Sequence, residues 1–162
     1  MLKNRTLTPK PVNIKFVLDT VTELLSPQLI ASGVEVVSHV QQAVIPMETE
    51  MMETVFINLL DNARKAMDSG GRILLHGKKR GGEYIVTVTD AGKGMAKQEL
   101  SKITDAFYMV DKSRSRKQGG VGLGLAICKE ILTLHGFDIQ FDSTVGVGTT
   151  VTVIMRSGGG KP

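Results

Sequence analysis

Apolar residues recur at helical spacing in three segments of the chain, and a glycine follows each segment. The spacing predicts helices over residues 16–31, 48–67 and 122–134, with Gly33, Gly70 and Gly136 as stop signals. The apolar stripe of the first helix consists of Phe16, Val17, Val21, Leu24 and Leu25. The stripe of the second consists of Met51, Met52, Val55, Phe56, Leu59, Leu60 and Ala63. Each helix therefore has one face to bury against another layer.

β-Branched and alternating runs predict strands between and after these helices. They cover residues 34–40, 72–79, 83–90, 137–143 and 149–156. Residues 91–120 are irregular, apart from a possible short helix over 97–104. Because regular alternation of strands and helices is missing, a doubly wound parallel fold is disfavoured. The pattern predicts an α/β two-layer sandwich, with a mixed, mostly antiparallel sheet covered on one face by three helices.

Length and composition indicate one ordinary globular domain of 162 residues. Residues 1–12 are predicted to be a lead-in, residues 13–156 the domain, and residues 157–162 a flexible tail. No apolar stretch approaches the roughly 18 residues of a membrane span. A single cysteine, Cys128, excludes an internal disulfide, and we expect it to be buried and inert.

Glycine content and clustered charge narrow the function further. Glycine accounts for 18 of 162 residues, and every glycine except Gly33 lies at residue 70 or later, so the later part of the chain needs unusual backbone or close ligand approach. The net charge is only +4, but Lys112, Arg114, Arg116 and Lys117 form a cluster. With no tryptophan and 4% aromatic residues, base-stacking platforms for nucleic acid are hard to build.

Three polar residues share one face of the second predicted helix. Asn58, Asn62 and Lys65 fall within about 60° of one another around the helix axis. A solvated helix face would explain them. However, two asparagines one turn apart in a strongly apolar helix conflict with helix propensity, and such conflicts often mark functional sites.

Two glycine-containing segments are candidates for contact with a nucleotide. Residues 90–95 place Asp90 at the end of a strand, before Gly92 and Gly94. The segment is either a plain turn or a site where a carboxylate accepts a hydrogen bond from an exocyclic amine. Residues 119–125 lead into the third helix, either as a hinge or tight packing contact, or as a phosphate site at a helix N-terminus. The neighbouring basic cluster favours phosphate.

Together these motifs resemble those of the GHKL (Bergerat-fold) ATP-binding family, and specifically the catalytic domain of a bacterial sensor histidine kinase. In order along the chain, the segments resembling the N box, the G1 box, the F box of the ATP lid, the G2 box and the last glycine–threonine box are residues 56–66, 90–95, 106–114, 120–125 and 146–150. Any one motif alone is weakly specific, but the ordered set is strongly specific.

The resemblance implies a role for each motif. Asp90 would bind the adenine amino group, with Thr149 or Thr150 nearby through water, and Asn62 would supply an oxygen to Mg²⁺. The residues expected to bind nucleotide are Asn58, Asn62, Lys65, Asp90, Gly92, Gly94, Met95, Phe107, Tyr108, Lys112, Gly120, Val121, Gly122, Leu123, Gly124, Leu125, Thr149 and Thr150. Those expected to be catalytic are Asn58, Lys65, Lys112 and Arg114.

One position separates the subfamilies of this fold. ATP-hydrolysing relatives carry a glutamate four residues before the magnesium-binding asparagine, where this chain has Asn58, an amide that cannot act as a general base. The resemblance therefore implies transfer of the γ-phosphoryl group of Mg-ATP to histidine. Two alternatives stay open: an ATP-hydrolysing module, and a non-catalytic nucleotide-sensing module, since Ala106 and Met109 depart from the usual lid.

The expected partners follow from the same resemblance. In the family the acceptor histidine is typically followed by an acidic residue, whereas His39, His76 and His135 are followed by Val40, Gly77 and Gly136. We therefore expect the acceptor on a separate dimerisation domain, in the parent chain or in trans, with a response regulator downstream. We expect no nucleic acid partner, no membrane contact by this domain and a cytoplasmic location, including in a membrane-anchored parent kinase.

Overall fold

The computed structural model describes residues 6–100, 102 and 124–156, which form a sheet layer and a helix layer. The strands are β1 Lys10–Asn13, β2 Val34–Val40, β3 Val44–Met47, β4 Gly71–Arg80, β5 Glu83–Asp90, β6 Asp138–Thr144 and β7 Gly148–Arg156. Five of them form the main sheet, in the order β2-β4-β5-β7-β6. The β2–β4 pair is parallel and the other three pairs are antiparallel. The predicted mixed, mostly antiparallel sheet is confirmed.

The helices lie on one face of this sheet. They are α1 Ile14–Leu24, α2 Ser26–Ala31, α3 Thr49–Lys65, α4 Lys97–Leu100 and α5 Gly124–His135. Helix α3 is the centre of the layer, because it packs against α1, α5 and strands β4 and β5. The short α2 packs against β2. The predicted two-layer α/β sandwich is confirmed, with α1, α3 and α5 as its three main helices.

The core lies between α3 and the inner face of the sheet. All seven residues of the predicted α3 stripe are buried. They meet alternate residues of the strands, among them Ile73, Val86 and Val153. Cys128 on α5 is fully buried, and burial raises the pKa of its thiol to about 12. The expectation of a buried, inert cysteine is thereby supported, since only the thiolate is reactive.

The first predicted helix is wrong in two respects. It is divided into α1 and α2 at Leu25, because Pro27 in the first turn of α2 has no N–H to continue the α1 hydrogen-bond ladder. The predicted stripe is confirmed at Val17, Val21 and Leu25, which are buried, but it is wrong at Phe16 and Leu24, which are 63% and 58% exposed. The residues of α1 that are buried are Ile14, Val17, Leu18 and Val21, which are also at helical spacing.

A small second sheet was not predicted from the sequence. Strand β1 pairs with β3 in antiparallel register, with Pro11 opposite Pro46. Each strand has four residues and contains a proline, so neither shows a recognisable β pattern. Residues 10–12, assigned above to the lead-in, therefore belong to a strand. Asn13 then begins α1, because its side chain accepts the Lys15 N–H at 3.0 Å.

The described helices are all too short or too polar to cross a membrane.

Candidate nucleotide-binding site

Asp90 is the centre of the site. It is the last residue of β5 and alternates with Val86 and Val88, so its side chain lies on the helix-covered face of the sheet. Only 8% of the residue is exposed, and it is the one charged residue buried among those that the structure describes. A buried carboxylate is costly unless it is hydrogen-bonded, and such positions are candidates for function.

Two backbone groups hold this carboxylate in place. The Gly92 N–H donates to Oδ1 at 2.7 Å, and the Thr149 N–H also donates to the carboxylate. Burial raises the pKa of Asp90 above its ordinary value of 3.8, and these two hydrogen bonds partly oppose the rise. Two donors do not saturate a carboxylate, so Asp90 can accept further hydrogen bonds, including one from an amine.

Gly92 allows the loop of residues 90–95 to pack closely against the end of α3. A Cβ at this position would lie 2.6 Å from the Ala66 carbonyl oxygen. The neighbouring Lys93 N–H donates to that same carbonyl at 3.3 Å. Position 92 therefore needs a glycine, because the backbone of Ala66 lies too close for a side chain.

Gly94 and Gly148 fix the other side of the loop against the β6–β7 turn. Gly94 has a φ of +71°, and a Cβ there would collide with the Thr144 carbonyl oxygen. A Cβ at Gly148 would collide with the carbonyl oxygen of Asp90 itself. The Gly146 N–H also donates to the Lys93 carbonyl at 2.8 Å. The loop is thus held between α3 and the β6–β7 turn.

Ser143 lies beside this loop and was not predicted from the sequence. Its Oγ accepts the Met95 N–H at 2.8 Å. The register of the sheet places Ser143 opposite Thr149, which is in turn opposite Asp90, so the three residues form one row. The alternation of β6 after Ile139 and Phe141 is the sequence signal that could have indicated Ser143.

The structure separates the two threonines expected near adenine. Thr149 lies in the row with Asp90, and its Oγ1 is 2.8 Å from Ser143 Oγ. Thr150 is the next residue of β7 and points to the opposite face, where its hydroxyl contacts that of Thr89 at 3.2 Å. The Thr150 side chain is therefore not brought to Asp90, because adjacent strand residues alternate between faces.

The polar face predicted on α3 is present. Asn62 is exposed and Asn58 half-buried, while the helix buries its opposite face. Asn58 Nδ2 donates to the Thr54 carbonyl at 2.8 Å, which leaves Oδ1 facing the start of α5. A Cβ at Gly124 would lie 2.7 Å from that oxygen. Gly124 therefore allows α5 to begin close to Asn58. The next residue, Leu125, is half-buried and packs against the core.

Lys65 lies in the last turn of α3 in a small charge cluster. Its Nζ is 3.3 Å from Asp61 Oδ2, and Arg64 contacts the other oxygen of Asp61 at 2.7 Å. Arg64 also donates to Ser32 Oγ at 2.9 Å. The charge of Asp61 is therefore compensated by two cations, and Lys65 is held on the side of the helix that carries Asn62.

Asn62 is the described residue best suited to a magnesium ion. No group of three or more His, Cys, Asp or Glu side chains suited to a metal occurs in the described part of the chain. The Asn62 amide is exposed and makes no hydrogen bond to the described residues, so its oxygen is available as a hard ligand. A single amide fits an ion that takes its other ligands from phosphate and water.

Several expected site residues fall outside the described part of the chain. They are Phe107, Tyr108, Lys112, Arg114, Gly120, Val121, Gly122 and Leu123. Within it, Asp90, Gly92, Gly94, Met95 and Thr149 converge on one loop, and Asn58 and Gly124 meet at the start of α5.

The chain is similar in sequence and in fold to known sensor histidine kinases. The chain is 40% identical over 113 residues to the sensor histidine kinase WalK of Bacillus subtilis, covering 68% of this chain and 18% of WalK. Its fold matches the mycobacterial sensor histidine kinase MprB with a TM-score of 0.81 at 25% identity, over 92% of this chain and 97% of that one. It also matches ShkA, with a TM-score of 0.80 at 26% identity, over 95% and 32%.

The chain spans 14–25% of the length of the curated relatives it matches first. The family profile described as histidine kinase-, DNA gyrase B-, and HSP90-like ATPase matches residues 47–158. This match includes α3, the Asp90 loop and the β6–β7 turn. The chain therefore belongs to the family of histidine kinase-, DNA gyrase B- and HSP90-like ATPases.

Proposed function

We propose that this chain binds Mg-ATP and transfers its γ-phosphoryl group to a histidine on a separate dimerisation and phosphoacceptor domain, as part of two-component signalling. The sensor histidine kinases that it resembles support this proposal. So does ShkA, whose structure was solved in complex with AMPPNP. Because ATP is held in the cytoplasm, this activity would place the domain there.

The adenine end of the nucleotide would lie at Asp90. A carboxylate that already accepts hydrogen bonds from two backbone N–H groups has a fixed direction. Its remaining lone pairs can accept a hydrogen bond from the adenine amino group. Thr149, which lies opposite Asp90 in the same row of the sheet, would also contribute to adenine binding. Gly92 and Gly94 keep the backbone of this loop close to its neighbours and free of side chains.

The phosphate end would lie along the polar face of α3. Asn62 would hold Mg²⁺ through its amide oxygen, and a neutral ligand suits an ion that already binds a polyanion. When bound, the ion neutralises charge on the phosphates. Lys65 would face the phosphates from the adjacent turn. Binding the phosphates would weaken its present ion pair with Asp61.

The neutral side chain of Asn58 is the observation that favours transfer to histidine. Asn58 occupies the position at which the hydrolysing relatives carry a glutamate. Its Nδ2 donates a hydrogen bond to the Thr54 carbonyl. The carboxylate of Asp61, the next acidic residue on this helix, is directed to Arg64 and Lys65 by two ion pairs. A neutral imidazole is itself nucleophilic and needs no such base.

The positions of the chain's three histidines support an acceptor on another domain. His39 and His76 are exposed neighbours on strands β2 and β4, with ring centroids 5.4 Å apart. They lie on the sheet face opposite Asp90, because each is one residue out of phase with the buried positions. His135 Nε2 accepts the Glu48 N–H at 3.1 Å at the far end of α5.

A phosphotransfer assay tests the proposal. The chain is mixed with γ-³²P-labelled ATP, Mg²⁺ and a separate histidine-bearing dimerisation domain, and phosphate release is followed in parallel. We expect acid-labile label on the dimerisation domain and slow release of phosphate. A dimerisation domain with the acceptor histidine changed to alanine should stay unlabelled.

The same assay separates the alternatives. Rapid phosphate release over many turnovers, without labelling, would indicate the hydrolysing module. Binding of Mg-ATP with neither labelling nor release would indicate the nucleotide-sensing module.

A further inference from the structure

Ser143 joins the two segments that surround Asp90. Its Oγ accepts the Met95 N–H at 2.8 Å, lies 3.0 Å from the Gly148 carbonyl oxygen, and lies 2.8 Å from Thr149 Oγ1. A hydroxyl can donate once and accept twice, so all three contacts are satisfied together if Ser143 donates to Gly148 and accepts from Met95 and Thr149. One side chain thus connects the 90–95 loop to the start of β7.

The groups that orient Asp90 belong to these same two segments. The Gly92 N–H comes from the loop, and the Thr149 N–H comes from β7. The angle between the two donors therefore depends on how the loop and β7 are held together. Ser143 holds the loop to β7 through the Met95 N–H, while Ala66 anchors the loop to α3 through the Lys93 N–H.

We propose that Ser143 is a positioning residue for adenine recognition, acting through Asp90 and the 90–95 loop. This inference rests on the proposed binding of ATP. Guanine carries a carbonyl oxygen where adenine carries its amino group, so a carboxylate fixed in one direction accepts from adenine and repels guanine. If the loop is released from β7, the carboxylate can turn. The preference for ATP over GTP then falls.

The test compares nucleotide binding by four forms of the whole chain: wild type, Ser143→Ala, Ser143→Thr and Thr89→Val. Thr89 supplies a matched control, because it is adjacent to Asp90 but its hydroxyl contacts Thr150 on the opposite face. The dissociation constants of Mg-ATP and Mg-GTP are measured by calorimetry, and thermal unfolding of each form is recorded alongside.

We expect Ser143→Ala to weaken Mg-ATP binding about tenfold and to change Mg-GTP binding much less, so that the preference for ATP falls. Ser143→Thr, which keeps the hydroxyl, should restore the preference, and Thr89→Val should retain it. A purely structural role would lower the unfolding temperature without changing the ratio of the two constants.

Other outcomes decide against the inference. It is overturned if Ser143→Ala keeps the wild-type ratio, or if Ser143→Thr fails to restore it. If the alanine variant does not fold, Ser143→Cys takes its place, since it keeps the volume but is a poor hydrogen-bonding group; a wild-type ratio in that variant overturns the inference. Failure of wild type to bind Mg-ATP would instead refute the proposed function.

Discussion

The two ends of the candidate site are built in different ways. At the adenine end, Asp90 is buried and its carboxylate is held by backbone N–H groups of Gly92 and Thr149. At the phosphate end, as far as the structure describes it, the functional groups are side chains on the outer face of α3. Asn62 is exposed, and Lys65 is paired with Asp61.

Because of this difference, one end of the site selects the base and the other end binds the phosphates and their magnesium ion. A fixed acceptor distinguishes bases because a misdirected hydrogen bond leaves a buried group unpaired. Phosphates and a magnesium ion need charge and accessible oxygen, which exposed side chains supply without such fixed geometry. Changes at the adenine end should therefore affect both fold and selectivity, whereas changes on the α3 face should affect Mg-ATP binding and phosphotransfer but not the stability of the fold.

The largest effect is expected at Gly148. Alanine there combines a φ of +144° with a collision against the Asp90 carbonyl oxygen. We expect a loss of roughly 3 kcal/mol or more in the free energy of unfolding, together with weaker Mg-ATP binding. Gly146→Ala is the matched control. Its φ of +80° is also strained for alanine, but the added Cβ would have no atom within 4 Å apart from its chain neighbours. It should cost about 1–2 kcal/mol and leave binding intact. Urea unfolding of both variants measures the difference, and equal losses would contradict the packing described here.

The next largest effect is expected for Asp90→Ala. A hydrogen bond to a charged acceptor contributes about 1.5–3 kcal/mol, so Mg-ATP binding should weaken roughly 10- to 100-fold, with loss of selectivity for adenine. Calorimetry measures both quantities. Glu23→Ala removes an exposed acid of α1 and should bind as wild type. Unchanged ATP affinity in a folded Asp90→Ala variant would place the base elsewhere.

A smaller effect is expected for Asn62→Asp. The added charge faces the phosphates and should weaken Mg-ATP binding by about 1 kcal/mol, and Mg²⁺-dependent phosphotransfer should be lost. The unfolding temperature should not change, because the Asn62 side chain is exposed and unbonded among the described residues. Gln28→Glu adds the same charge on α2 and controls for net charge. A large loss of stability in Asn62→Asp would mean that the α3 face is structural.

The smallest effect is a dependence of stability on pH. Because burial raises the pKa of Asp90, the native chain binds this proton more tightly than the unfolded chain does. The free energy of unfolding of wild type, relative to Asp90→Asn, should therefore fall as pH rises from the ordinary Asp range through the raised native pKa. ATP affinity should rise over the same window, since ionised Asp90 is the better acceptor. Urea unfolding of both forms across this pH range measures the first trend, and a relative gain in stability would reverse the sign assigned here.

Much of the fold follows from local patterns. The α3 stripe and the strands of the main sheet have strong periodicity, and the structure contains them close to their predicted bounds. Where a proline intervenes the pattern misleads, as at Pro27 between α1 and α2, or gives no signal, as at Pro11 and Pro46 in β1 and β3.

The sequence by itself determined the chemistry of the site. It supplied a carboxylate at the end of a strand, two asparagines and a lysine on one helix face, and glycines at the positions where backbone approaches backbone. These are local properties, because residue type and spacing fix them.

Only the tertiary structure decided which groups meet. The register of β6, β7 and β5 aligned Ser143 and Thr149 with Asp90 and directed Thr150 to the other face. Contacts between residues about fifty positions apart, such as Met95 with Ser143, arise from strand pairing across the whole sheet, and no local pattern encodes them.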